Sequence, residues 1–228
     1  MELKTKLKTP LIVVNFKTYK ESTAANAEKL AKICEKVSNS KGIQIAAAVQ
    51  VADIYRVSLK TKIPVLSEHM DYGGEGAFTG SVTAEDIKFN GASGTLINHS
   101  EDRMPMGEIK RTIERARENG LASVVCAETA DEAEVIAGYG PDFIAIEPPE
   151  LIGGDISVST ANPELIKDTV MRVKKIADIP VLCGAGVKTG HDVKVAHKLG
   201  ADGILVASGV TKAKNPEEIL NEFCEGLK

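Results

Sequence analysis

The sequence contains no tryptophan, only 4 % aromatic residues, and four cysteines in 228 positions. No apolar run approaches the roughly 20 residues of a membrane span. The charged opening MELKTKLKTP leads into the short run LIVVNF with no small-residue cleavage pattern behind it, so neither a secretory leader nor a membrane anchor is expected. Cys34, Cys126, Cys183 and Cys224 are far apart and form no C-x-x-C pair, which excludes a disulfide scaffold. Two of them, Cys126 and Cys183, sit inside apolar runs and read as buried, reduced thiols of a cytoplasmic protein. No H-E-x-x-H stretch or Cys/His cluster offers a metal site. A basic surplus is also missing. Lysine and arginine number 28 against 32 acids, a net charge of −4, which argues against a nucleic-acid or anionic-membrane partner. A small anionic ligand stays open, because a few amides or one lysine can hold it whatever the total charge.

What the chain does have is short, β-branched apolar runs at 11–16, 43–49, 63–67, 93–98, 121–127, 142–147, 180–184 and 202–207. Most are continuous rather than alternating, as strands covered on both faces require. Segments with helical periodicity and charged faces separate them, for example 24–37, 106–119, 163–177 and 216–224. Asn162-Pro163 and Asn215-Pro216 read as an N-cap followed by proline at the first helical position. Gly120 and Gly200 stand where helix C-caps are expected. Eight strands alternating with helices predict an α/β fold with a parallel sheet, closed as a (β/α)8 barrel or left open as a doubly wound sheet. No linker or composition shift divides residues 1–228, so a single barrel domain is expected.

In a barrel, chemistry gathers at the C-terminal ends of the strands. Here those ends read NFK, VQV, SEH, NHS, CAE, IEP, CGAG and ASG, so polar and small residues concentrate where a barrel enzyme needs them. Asn15 and Lys17 are two apart at the end of strand one, so both are expected to face the mouth. His99 closes strand four. A helix starting just after it would favour a neutral imidazole. Glu147 follows four apolar residues, and desolvation there would raise its pKa toward that of a base useful near neutrality. Alone, each of these also reads as a turn asparagine, a solvated lysine, a structural histidine or a strand-end acid. Gly184-Ala185-Gly186 and Ala207-Ser208-Gly209 end strands seven and eight, where backbone amides can approach a phosphate. The spacing Gly184-x-Gly186-x-x-x-Gly190 departs from a dinucleotide fingerprint, and no acid ends the next strand.

Several stretches resemble the triosephosphate isomerase family, and its short archaeal branch in particular. They are Asn15-Phe16-Lys17, Gly76-Ala77-Phe78-Thr79-Gly80, the run GTLINHSEDR at 94–103, the run IEPPELIG at 146–153, and the two glycine clusters. They span essentially the whole chain, in order. The resemblance implies the (β/α)8 barrel and an isomerase that interconverts glyceraldehyde 3-phosphate and dihydroxyacetone phosphate through an enediolate. It implies Glu147 as base, His99 as neutral electrophile, Lys17 and Asn15 as stabilisers of the enediolate, and Glu101 as the partner that positions Lys17. It implies phosphate-binding amides at Ile152, Gly153, Gly186, Ala207 and Ser208, and a closing lid over 148–159. No cofactor and no metal are implied. The lid tip departs from the family's more usual Gly-Thr-Gly, reading Gly153-Gly154-Asp155, and strand seven ends without the serine of many relatives. The stretch at 76–80 resembles a loop that reaches a neighbouring subunit, which implies a homo-oligomer, a dimer at least and a tetramer in the archaeal branch. Another phosphate-binding barrel enzyme, or a non-catalytic sugar-phosphate binder, would share the glycine clusters. Neither gives a reason for Asn15, Lys17, His99 and Glu147 to occur together.

Overall fold

The computed structural model describes residues 6–148 and 162–228. Eight strands form in the order read from the sequence: β1 (Leu11–Asn15), β2 (Gln44–Val49), β3 (Val65–Ser67), β4 (Gly94–Ile97), β5 (Ala122–Ala127), β6 (Phe143–Ile146), β7 (Val181–Cys183) and β8 (Gly203–Val206). All neighbours pair in parallel, and β8 returns to β1 with Leu11 opposite Gly203. That last pairing closes the barrel and excludes the open, doubly wound sheet. The helices among the described residues are α1 (Ala25–Lys41), α2 (Val51–Lys60), α3 (Ala84–Phe89), α4 (Met106–Glu118), α5 (Ala130–Ala137), α6 (Pro163–Ile176), α7 (Gly190–Lys198), the single turn α8 (Ser208–Thr211) and α9 (Pro216–Gly226).

The local signals act as expected. Asn162 accepts a hydrogen bond from the Leu165 N–H at the start of α6, and Asn215 accepts one from the Glu218 N–H at the start of α9. Each is followed by a proline whose missing N–H the first turn does not need. Gly120 and Gly200 stand one residue past the C-caps Asn119 and Leu199. Their φ values of 65° and 101° make the left-handed turn that ends each helix.

Continuous apolar strands exist because both faces are covered. On one face, Leu11, Val13, Ala46, Ala48, Leu66, Leu96, Val124, Phe143, Ala145, Leu182 and Leu205 pack together inside the barrel. On the other face, Ile12, Val14, Ile45 and Val65 pack against α1, α2 and α9. Ile97, Val125, Ile144 and Val181 pack against α4, α5 and α6. The period of two then places the site. Two residues beyond the last interior side chain of β1, β3, β6, β7 and β8 stand Asn15, Glu68, Glu147, Gly184 and Ala207. The layer that caps the apolar interior is therefore polar or small, and it sits at the C-terminal mouth.

Candidate active site

One pocket at this mouth is lined by Asn15, Lys17, His99 and Glu147 on one side, and by the segments 184–188 and 205–209 on the other. It thus collects Gly186, Ala207 and Ser208 with the four candidate catalytic residues. Ile152, Gly153, Asp155 and all of the expected lid beyond Pro148 lie outside the described residues.

Glu147 is fixed first by its backbone. Its N–H donates to the Ala127 carbonyl of β5 at 2.8 Å, and the Gly184 N–H donates to the preceding Ile146 carbonyl at 2.9 Å. The residue is only 3 % exposed, and one carboxylate oxygen, Oε2, is buried with no hydrogen-bond partner among the described residues. Burial pushes its pKa up to about 7. The Cys126 thiol and the Lys17 charge oppose that rise without cancelling it. Gly184 supplies the room: a Cβ there would overlap Glu147 Cγ. Neither the place of Cys126 beside Glu147 nor this role of Gly184 was read from the sequence. The interior alternation would have found both, since Cys126 follows Val124 and Gly184 follows Leu182 on inward-facing positions.

His99 is presented by a turn, not by a helix start. α4 begins only at Met106, so the expected helix-terminus effect does not act on this ring. Asn98, at φ 62°, locks the turn: its side chain donates to the Cys126 carbonyl and accepts from the Met104 N–H, each at 2.9 Å. The imidazole is nonetheless held neutral. Burial first, and the Lys17 charge second, lower its pKa to about 4. Its Nδ1 lies 3.1 Å from the Glu101 N–H and accepts from it. That leaves the ring proton on Nε2, which lies 3.7 Å from Glu147 Oε1.

Lys17 arrives by a different route from the one alternation suggested. β1 ends at Asn15, and Lys17 lies beyond it with φ 49°. Its N–H donates to Asn15 Oδ1 at 3.1 Å, closing a small turn that swings the side chain back to the pocket. Glu101 binds the ammonium at 2.8 Å. Glu101 is more than half exposed, so this ion pair is screened and serves orientation more than stability. Among the described residues, no group of His, Cys, Asp and Glu side chains is arranged to hold a metal ion.

A buried carboxylate tuned to neutrality, a neutral imidazole with an outward N–H and an ammonium converge beside a glycine-rich wall. Fold and site together define a barrel enzyme that moves protons on a small, oxygen-rich anion. Comparison with known proteins narrows the class. A family profile described as "Triosephosphate isomerase" matches residues 10–223. A triosephosphate isomerase of Methanothermus fervidus is 48 % identical over 215 residues, covering 94 % of this chain and 97 % of that protein. One of Methanocaldococcus jannaschii is 48 % identical over 214 residues, covering 93 % and 98 %. The crystal structure of triosephosphate isomerase from Bartonella henselae superposes with a TM-score of 0.76 at 17 % identity, over 96 % of this chain and 99 % of that one, and so shares the fold. The chain belongs to the triosephosphate isomerase family, and it is an isomerase.

The space at Gly184 is directly testable. Gly184→Ala displaces the Glu147 side chain while leaving the barrel core untouched. Turnover is expected to fall by about tenfold or more, as misplacement of a reacting group does, with the circular dichroism spectrum retained. Wild-type turnover in this variant would contradict the placement of Glu147.

Proposed function

We propose that this barrel interconverts dihydroxyacetone phosphate and glyceraldehyde 3-phosphate with Glu147 as the base. Glu147 takes a proton from carbon 1 of dihydroxyacetone phosphate. The electron pair moves toward the carbonyl, and negative charge develops on its oxygen. Lys17 and Asn15 face that charge, and His99 donates its Nε2 proton to the oxygen and recovers one from the neighbouring hydroxyl. Glu147 then returns its proton to carbon 2. Protons move only among substrate, Glu147 and His99, so the cycle closes without change of oxidation state in the protein. A neutral imidazole suits this task because its N–H donor and the imidazolate-like partner state are matched to weakly acidic oxygens. An ammonium beside developing charge in a largely water-excluded site acts more strongly than it would in water.

The observation that carries this reading is the pair His99 and Glu147, 3.7 Å apart, with pKa values driven in opposite directions, to about 4 and about 7. The amides of Gly186, Ala207 and Ser208 are the proposed phosphate cradle. Ile152 and Gly153, together with the lid over 148–159, belong to the same proposal on the strength of the sequence alone. Buried, reduced cysteines support a cytoplasmic protein, and no helix among the described residues is long and apolar enough to cross a membrane.

A coupled assay on pure protein tests the base. Glu147→Ala is expected to lower kcat by about 10²–10⁴-fold, the usual worth of a positioned base, with the fold retained. In the wild type, kcat/KM rises with pH as Glu147 loses its proton, with an apparent midpoint near 7. An unchanged rate in the variant, or a flat wild-type profile between about pH 5 and 8, would overturn the assignment.

The loop between β3 and α3 supports association of copies. Phe78 near its tip is 48 % exposed, the loop is braced by Arg111 over the Tyr72 ring at 3.8 Å, and an Arg115–Glu85 ion pair ties α4 to α3 where the loop ends. A large ring held out on a braced loop fits a contact with a second copy better than a free surface. A homo-oligomer, dimeric at least and tetrameric by its resemblance, is therefore proposed. Light scattering is expected to give a multiple of the 24.2 kDa chain. A fully active monomer would contradict it.

A further inference from the structure

Glu132 is an acid outside the proposed reaction, and it reaches further than its place in the fold requires. It is the third residue of α5, and its N–H donates to the side chain of the N-cap Thr129 at 3.1 Å. An acid in this first turn favours the helix start on local grounds. One carboxylate oxygen serves that local end: Oε2 accepts from the Glu128 N–H at 2.8 Å. The other points away from the helix. Oε1 accepts from Arg103 Nη2 at 2.5 Å and from Asn98 Nδ2 at 3.3 Å, both in the turn that carries His99. The Glu132 side chain is 15 % exposed, so these bonds form largely away from water, where they are stronger.

The His99 turn needs such a brace. α4 begins only at Met106, so no helix stands directly behind the ring. The Asp102 N–H donates to the His99 carbonyl at 2.8 Å, and Arg103 Nη1 donates to the Asn98 carbonyl at 3.4 Å. Those bonds fold the turn on itself without fixing it to the barrel. On one side it meets His69 through Asp102 and Lys17 through Glu101, but both acids are more than half exposed and these contacts are screened. On the other side stands the end of β5. There Asn98 Nδ2 donates to the Cys126 carbonyl at 2.9 Å, one residue before the Ala127 carbonyl that holds the Glu147 N–H. Arg103 Nε lies 3.4 Å from Glu128 Oε1, and Glu132 Oε1 binds both Asn98 and Arg103. We propose that Glu132 is a positioning residue for His99: its Oε1, shared by Asn98 and Arg103, ties the His99 turn to the start of α5 and fixes where the imidazole meets substrate. Imidazole and base are then held from the same strand end. The proposal rests on the reading of His99 as proton donor to the substrate oxygen.

The test is a double-mutant cycle on the purified full chain, with kcat and KM read separately. Glu132→Ala is expected to lower kcat and kcat/KM together by about tenfold or more, with KM within about threefold, because the displaced ring acts in the transition state. Thr129→Ala removes the helix cap from the same turn of α5 and leaves the contacts of the His99 turn in place. It is expected to keep kcat within about twofold, since a lost cap costs stability rather than turnover. In a His99→Ala background, Glu132→Ala is expected to add less than about twofold, because its effect runs through a side chain already removed. If Glu132→Ala does not fold, as judged by circular dichroism, Arg103→Met breaks the same arm from its other end and enters the same comparisons. An unchanged kcat, a loss confined to KM, a Thr129→Ala variant as slow as Glu132→Ala, or an equal loss with and without His99 would each overturn the proposal. Wild-type turnover in His99→Ala alone would instead overturn the role of His99, an outcome distinct from these.

Discussion

Everything at the mouth of this barrel depends on keeping one carboxylate, Glu147, out of water. The barrel does this with register. Phe143 and Ala145 fill the interior below it, and alternation delivers the next inward position to a glutamate. Strands β5 and β7 then pin the backbone on either side, and Gly184 leaves the only kind of neighbour that fits against its Cγ. The polar group is buried because the backbone around it admits no other place.

That same burial sorts the ionisation states of the site. Loss of water disfavours charge on both Glu147 and His99, so the acid's pKa rises and the imidazole's falls. Lys17 pulls both downward. It thereby favours the ionised carboxylate that the proposed proton abstraction uses and the neutral ring that the proposed donation uses. The arrangement costs stability. The folded-state pKa of Glu147 lies above its unfolded value of 4.5, so the folded protein keeps this proton up to about 7. Its contribution is present at low pH, declines as pH rises from 4.5, and is gone above 7. The fold is therefore least helped by this group at the pH where the proposed base is ionised.

Much of this could be read from the residues alone, and the reasons are specific. Eight apolar runs gave eight strands because a parallel sheet covered on both faces leaves no alternation to misread. Asn162-Pro163 and Asn215-Pro216 marked helix starts because capping is local. Asn15, His99 and Glu147 stood out as polar residues at strand ends. What escaped the sequence was whatever depends on a neighbour across the barrel. Periodicity alone left the sheet closed or open; the resemblance favoured the barrel, and the pairing of β8 with β1 bears it out. The shift of His99 comes from burial and Lys17, not from a helix terminus, since α4 starts at Met106. Lys17 faces the pocket through a left-handed turn that strand alternation does not describe.

The central claim is the state of one carboxyl group, and titrating it is the most direct test. Carbon-13 NMR of glutamate-labelled protein, with Glu147→Gln to assign the resonance, reads that ionisation in the free enzyme. The account predicts a midpoint near 7 for Glu147. A midpoint at the ordinary 4.5 would show that water reaches this carboxylate, and the electrostatic account of the site would fall with it.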